Sequence, residues 1–342
     1  MMTSPSPLPA RVAVIVPAYG VAHLLHEALD SLLAQSLADW ECVVIDDGAP
    51  DDVAGAVAPY LADPRIRFLA TDNRGVSAAR NRAVAQTSAP YIALLDGDDR
   101  FTPEYLSRTL AVLDGDPDAR LVTCNALIFG AVAKPRLCFT SKQGSLDGTR
   151  GSLADVLDRS FGIYIGTTFR RADFETVGGF DEDMTHAEDL DLWVRLMLLG
   201  GHAHYVDEVL GEYRVRASSA SASAERMLLG NIRVYEKALT QLAGRGEAGV
   251  AHNMIDRNRR ALAFEHAVDQ VIDGDTQGGI AGINEHGDLN GPMWMVIKRV
   301  WSIWPGLARP TLQWRRRSHS RGNTESFASF LRTLARGSNG PG

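Results

Sequence analysis

The chain has 342 residues, enough for one large or two ordinary domains with full cores, and its hydrophobic and charged fractions of 45% and 23% are those of a soluble globular protein. No uncharged apolar run reaches the ~18 residues of a membrane span, and residues 1–10 lack the cationic region of a secretory leader. The net charge of −7 is uneven: residues 291–342 hold one Lys and eight Arg against one Glu, a surplus of +8, so the first 290 residues carry −15.

Short β-rich runs alternate with helical periods in the first third of the chain. Strands are expected at 12–16, 41–45, 66–70, 91–95 and 121–127, with helices at 22–35, 53–61, 76–86 and 103–113 between them. Pro103 suits a first helical turn, where its missing N–H costs nothing. Such alternation predicts βαβ units on a mostly parallel sheet. Gly, Ser and Lys then break the pattern over 131–157, a loop-rich insertion. Order returns at 163–169, in a helix at 187–199 and in strand-like stretches at 203–206 and 208–215. Beyond a small polar linker at 218–224, two helices are expected at 225–242 and 250–272. Cys42, Cys124 and Cys138 are too few and too irregularly spaced for a disulfide frame or a zinc site, and they read as buried thiols in a reducing cytosol.

Two acid clusters close apolar runs, Asp46-Asp47-Gly48 after 42–45 and Asp96-Gly97-Asp98-Asp99 after 91–95. Ligands of open α/β sheets bind beyond the carboxyl ends of strands. Side chains two apart in an extended segment share a side, so Asp96 and Asp98 offer paired hard oxygen donors suited to Mg²⁺ or Mn²⁺. A helix–loop–helix calcium site is excluded, because Phe101 and Ser107 stand where its Gly and Glu belong. A solvated acidic turn is the plainer reading of this cluster taken alone.

Other motifs decide between them. Val14-Ile15-Val16-Pro17-Ala18-Tyr19 opens the domain, and Asn73-Arg74-Gly75-Val76-Ser77-Ala78-Ala79-Arg80-Asn81 lies between the acid clusters. Gly178-Gly179-Phe180-Asp181-Glu182 and Glu188-Asp189-Leu190-Asp191-Leu192-Trp193 follow the insertion. In this order and spacing they resemble the family 2 inverting glycosyltransferases of the GT-A fold, non-processive bacterial type, over roughly residues 11–216.

The resemblance implies an α/β fold, a nucleotide-binding Rossmann-like sheet flanked by helices, with a helical C-terminal extension. It implies a nucleotide-diphospho-sugar donor, UDP-linked by preference, and a saccharide or lipid-linked saccharide acceptor. Pro17 and Tyr19 would surround the base and ribose, Asp47 would bond the base with Asp46 alongside, and Asp96 would face the ribose. Arg80 would approach the base or diphosphate, and Asp98 would be the main ligand of a Mn²⁺ or Mg²⁺ ion. Asp189 matches the general-base position; standing at a predicted helix N-terminus, it is expected to be ionised at neutral pH. Asp181 and Glu188 would face the acceptor, and Trp193 would pack in the core. At the position where relatives often carry His, this chain has Arg216, which can grip diphosphate but cannot ligate a metal. The Gln-x-x-Arg-Trp segment of processive synthases is absent, so transfer of one sugar or very few is expected. His186 and His204 are assigned to local packing or surface.

The expected organisation is a disordered start at 1–10, a catalytic domain at 11–217 divided into nucleotide-binding (11–127) and acceptor (128–217) halves, a helical extension at 218–290, and a basic, Trp-rich tail at 291–342. Trp294, Trp301 and Trp304 near clustered Arg fit either an interfacial helix on an anionic membrane or a helix packed on the catalytic domain. A cytoplasmic enzyme, peripheral on the inner membrane face, is the expectation. Nucleic acid is not, since the acidic half would repel phosphate backbones. Two further readings compete: a sugar-1-phosphate nucleotidyltransferase, for which Pro17-Ala18-Tyr19-Gly20 is the wrong loop, and an inactive sugar-nucleotide-binding subunit, which would have no need of Asp189.

Overall fold

The computed structural model describes residues 9–140, 145, 147–216, 224–286 and 292–320. Ten strands are seen: β1 (Val12–Ala18), β2 (Trp40–Asp47), β3 (Ile66–Thr71), β4 (Tyr91–Leu94) and β5 (Arg100–Phe101), then β6 (Ala119–Gly130), β7 (Arg136–Leu137), β8 (Arg150–Gly151), β9 (Thr168–Arg170) and β10 (His202–Val215). Helices α1 (Ala22–Leu33), α2 (Val53–Val57), α3 (Val76–Ala85) and α4 (Tyr105–Gly115) alternate with the early strands. Next come α5 (Leu153–Asp158), α6 (Arg171–Thr176), α7 (Glu188–Leu198) and α8 (Ala224–Leu239). The last four are α9 (Glu247–Asp273), α10 (Thr276–His286), α11 (Pro292–Ile303) and α12 (Ala308–Ser320).

The chain forms two compact units, one of Met1–Phe129, Arg136–Arg214 and Arg233–Met254, the other of Gly130–Pro135, Val215–Ile232 and Ile255–Gly342. The sheet runs β3-β2-β1-β4-β9-β6-β10-β5, with β7 on β6 and β8 on β10. Its first four strands are parallel, whereas β9 opposes both of its neighbours. β1 and β2 pair from Val12 with Trp40 to Ala18 with Asp46, and Ile15 of β1 faces Leu94 of β4. This register brings the chain leaving β1, β2 and β4 to one edge of the sheet. The buried runs of β1 and β2 are apolar without alternation because helices cover both faces of a parallel sheet. On one face α1 buries Leu25, Ala28, Leu29 and Leu32.

Several elements depart from expectation, each for a local reason. Pro59, which has no N–H to continue the helix, ends α2 in a 3-10 turn over Ala58–Ala62. Pro103 precedes α4 rather than opening it, and its carbonyl accepts the Ser36 N–H. The insertion contains α5, started by a capping box between Ser152 and Asp155. β10 is one strand of 14 residues rather than two stretches parted at Asp207, whose side chain is exposed. Cys42 and Cys124 are buried as expected, but Cys138 is only half-buried.

In the second unit, Phe264, Val268 and Val271 of α9 pack with Ile283, Ile297, Trp301 and Leu312. Trp301 is thus a core residue of this helical cluster, whereas Trp304, on the turn after α11, is 61% exposed. Arg315 adds a bidentate pair with Glu265 at 2.7 and 3.2 Å. The disorder expected at 1–10 falls mostly outside the described residues, as do the linker and the last 22 residues of the basic tail. No described helix is long and apolar enough to cross a membrane.

Candidate active site

At the edge where β1, β2 and β4 end, acidic side chains organise the loops. Asp46 Oδ1 accepts the Ala49 N–H at 2.7 Å, a local turn bond. Asp47 is buried, and its two oxygens accept the N–H groups of Arg74 and Gly75, each at 2.9 Å. It thereby fixes the loop that enters α3. Asp51, to which the sequence assigned no role, accepts from Gly20 at 3.0 Å and Ala22 at 2.7 Å and holds the turn between β1 and α1. Tyr19 sits on that turn with its ring 53% exposed, and Pro17 beneath it is half-buried.

After β4 the chain brings three carboxylates together. Asp96 and Asp98 are partly exposed; Asp99 is 1% exposed. Asp99 accepts the Arg214 N–H at 2.8 Å and the Tyr164 hydroxyl at 3.3 Å. Burial, and then the negative charges of Asp96 and Asp98, push its pKa well above the usual carboxylate value. Arg214 donates from Nε to the Asp98 carbonyl at 2.8 Å and from Nη2 to Glu27 at 2.7 Å, so the end of β10 clamps this loop. Gly97 makes room for a close approach here. A Cβ on it would lie 3.1 Å from the Pro17 carbonyl, where β1's end crosses the acidic loop.

Arg80 is 3% exposed, not the surface helix charge that a lone arginine on α3 allows. It donates to Asp96 from Nη2 and to Glu188 from Nη1, both at 2.9 Å. Burial alone would lower its pKa, but Asp96 and Glu188 reverse this and hold the guanidinium charged. Glu188 lies 108 positions from Arg80 in the chain. The acidic loop after β4 and the start of α7 are one electrostatic object.

Helix α7 begins abruptly. Ala187, immediately before it, has φ 58°, a left-handed conformation uncommon outside glycine, and its carbonyl accepts the first helical N–H, from Asp191. Glu188 and Asp189 therefore occupy the first turn. Asp189 Oδ1 accepts the adjacent Leu190 N–H at 2.7 Å. The helix terminus was expected to favour the carboxylate, but the net effect is the reverse. Burial first, and Glu188's charge second, raise the pKa of Asp189, against lowering by Arg80 and Arg159. It is a stronger base than a surface aspartate.

Asp181 and Asp191 behave differently. Lys237 of α8 reaches both at 2.5 Å, and Asp191, 2% exposed, also pairs with Arg195 at 2.6 Å. Burial raises the Asp181 pKa, but Lys237 overcomes this and holds it below the usual range. Trp193 packs edge-on against Phe169 in the core, as expected. Arg216 directly follows β10, in the second unit. Asp99, Tyr164, Arg214, Glu27 and Lys237 were not singled out as site residues. The hydrogen bonds that tie them to Asp181, to one another and to Glu27 span 56 to 187 positions, a separation no local pattern reveals.

The donor set after β4 fits a divalent cation. Asp96 and Asp98 present partly exposed carboxylates there, and in raising the pKa of Asp99 burial comes first and their negative charges add repulsion. A cation held by Asp98 would relieve it.

Parallel strands whose carboxyl ends carry acids are the setting in which open α/β sheets bind their ligands. The glycosyl transferase family 2 model matches residues 13–190, and the chain belongs to that family. Its fold is GT-A. It is 28% identical over 294 residues to the succinoglycan biosynthesis protein ExoU of Rhizobium meliloti, covering 79% of this chain and 81% of that one. An uncharacterised Sinorhizobium fredii protein, y4gI, is 30% identical over 253 residues, which are 68% of this chain but only 26% of that protein. Among solved structures, S. aureus TarS 1-349 in complex with UDP-GlcNAc superposes with a TM-score of 0.61 at 16% identity, covering 92% of this chain and 93% of that one. The mannosyltransferase PcManGT of Pyrobaculum calidifontis, in complex with GDP-Man and Mn²⁺, gives 0.56 at 18% identity, covering 97% and 90%.

Proposed function

We propose that this chain is an inverting glycosyltransferase that moves a sugar from a nucleoside diphosphate, UDP by preference, to a hydroxyl of a saccharide or lipid-linked saccharide in polysaccharide assembly. The observation that carries this reading is the bridge that Arg80 makes from Asp96 after β4 to Glu188, the neighbour of the raised-pKa Asp189 in the first turn of α7. ExoU's name supports the polysaccharide context, and the UDP-GlcNAc bound by TarS supports the donor class.

In this reading Asp189 takes the proton from the acceptor hydroxyl as its oxygen bonds to the anomeric carbon. The bond from that carbon to the diphosphate oxygen breaks from the opposite face, which inverts the centre, and the nucleoside diphosphate leaves. A positioned base of this kind contributes ~10²–10⁴-fold. Tyr19 and Pro17 flank the base, with Asp46 and Asp47 shaping the nucleotide loop, and Asp96 meets the ribose while remaining tied to Arg80. Asp98 would hold Mn²⁺ or Mg²⁺, which when bound supplies neutralisation of charge on the departing diphosphate. Arg216 enters as a diphosphate ligand on sequence grounds, and Asp181 and Glu188 line the acceptor side through the contacts they make to Lys237 and Arg80.

Thermal unfolding with UDP, GDP, CDP and dTDP, each with and without Mn²⁺, tests the donor site. At ~100 times its dissociation constant, the matching nucleotide stabilises by about 2.7 kcal/mol. The metal-dependent part of that shift is lost in Asp98→Ala. Absence of a shift with every nucleotide would overturn the donor assignment.

Exposed Ile303 at the end of α11, with Trp304 and Leu307 on the turn that follows, favours a peripheral contact with an anionic membrane at the cytoplasmic face. Flotation with anionic vesicles checks this: Trp304→Ser should reduce the bound fraction, and equal binding would exclude that contact.

A further inference from the structure

A second group of metal-ligating side chains lies at the opposite end of the sheet strands from the acids just described. Asp116 follows α4, and His202 and His204 open β10. One donor atom of each lies within 4.8 Å of the other two, the only such cluster among the described residues. Residues two apart on a strand point to one side, which explains why both imidazoles meet the same carboxylate.

The cluster is built rather than incidental. Asp116 Oδ1 accepts the Asp118 N–H at 3.1 Å, which aims Oδ2 at His202 Nε2, 3.1 Å away. The backbone brings the two strands together here, with His202 N–H donating to the Asp118 carbonyl at 3.0 Å. Gly201 permits this approach, since a Cβ there would lie 2.2 Å from that same carbonyl. His202 is 6% exposed, yet its Nε2 meets Asp116 without hydrogen-bond geometry, and the buried Nδ1 of His204 also has no hydrogen-bond partner. Buried ring nitrogens without hydrogen bonds are costly. Metal coordination is the interaction that two neutral imidazoles and a carboxylate share.

We infer that Asp116, His202 and His204 form a zinc site separate from the sugar-nucleotide centre. Two nitrogens and one carboxylate oxygen are a donor set for Zn²⁺, at about 2.0–2.2 Å, with one tetrahedral position left to water. Imidazole ligands select it over Mg²⁺, and an all-oxygen site such as that after β4 has the opposite preference. The ion ties the amino end of β10 to the segment that enters β6. At its far end β10 delivers Arg214 to Asp98 and Asp99, so the metal anchors the strand that positions the acidic loop.

Isothermal titration of the full, chelator-stripped chain with ZnCl₂, and Co²⁺ substitution read by visible absorption, test the site. One Zn²⁺ per chain is expected, with Co²⁺ bands of a four-coordinate N/O site. His204→Ala should weaken Zn²⁺ binding by more than the roughly 10–100-fold that loss of an outer partner costs, and Asp116→Asn should weaken it as well, because His202 is buried and its truncation risks misfolding. Asp98→Ala should leave Zn²⁺ affinity unchanged. Failure to bind Zn²⁺, binding unaffected by His204→Ala, or binding abolished by Asp98→Ala would overturn the proposal.

Discussion

Two groups of acids lie close together in the catalytic unit and are solved in opposite ways. Asp181 and Asp191 share Lys237, and Asp191 has Arg195 as well, so their charges are matched and the Asp181 pKa is depressed. Asp96 and Glu188 share the buried Arg80, and beside them the pKa values of Asp99 and Asp189 are raised. Residue type is the same in both. What differs is whether the protein completes the charge balance itself or leaves it for a ligand, and an incomplete balance in a cleft marks a functional site.

The largest effect should come from the incomplete group. Asp189→Asn removes the base while preserving shape, and transfer should fall ~10²–10⁴-fold with nucleotide-induced stabilisation intact; a rate within a few-fold of wild type would reassign the base. Next is stability. Arg80→Met leaves Asp96 and Glu188 facing each other without a cation, and removal of one partner from a buried ion pair costs about 3–5 kcal/mol. Lys237→Met should cost less, about 1–3 kcal/mol, because Arg195 still serves Asp191. Denaturation of the two variants side by side reads the order, and the reverse order would break the comparison. The Lys237→Met deficit should shrink as pH falls below ~3.9 and through the depressed pKa of Asp181, whose carboxylate is then protonated.

The smallest effect is a shift in pH profile. The base must be ionised to act, so kcat/KM should fall as pH drops through the raised pKa of Asp189, above the ordinary ~3.9. Glu188 is one cause of that elevation, so Glu188→Gln should move the acid limb to lower pH. An unmoved limb would mean that another group sets it.

Much of this was readable from local pattern. Continuous apolar runs announced β1, β2 and β4, and the acids that end two of them stood out at once. β10 was read as two strands parted at Asp207, although backbone pairing is indifferent to an exposed charge. α6, only six residues long, left too little periodicity to detect. Arg80 was visible as a candidate, but its burial was not, since neither Asp96 nor Glu188 is a local neighbour. For the same reason the sequence left His204 without a role, as its nearness to Asp116 exists only through the pairing of β10 with β6.

The left-handed Ala187 has a directional consequence. An α-helix turns about 100° per residue, so a helix begun one residue earlier would bring the preceding chain in from another side of the axis. A conformation that costs on the order of 1–3 kcal/mol stops the helix from starting there. Ala187 acts as an angular stop: it sets the direction from which the chain enters the turn that carries Glu188 and Asp189.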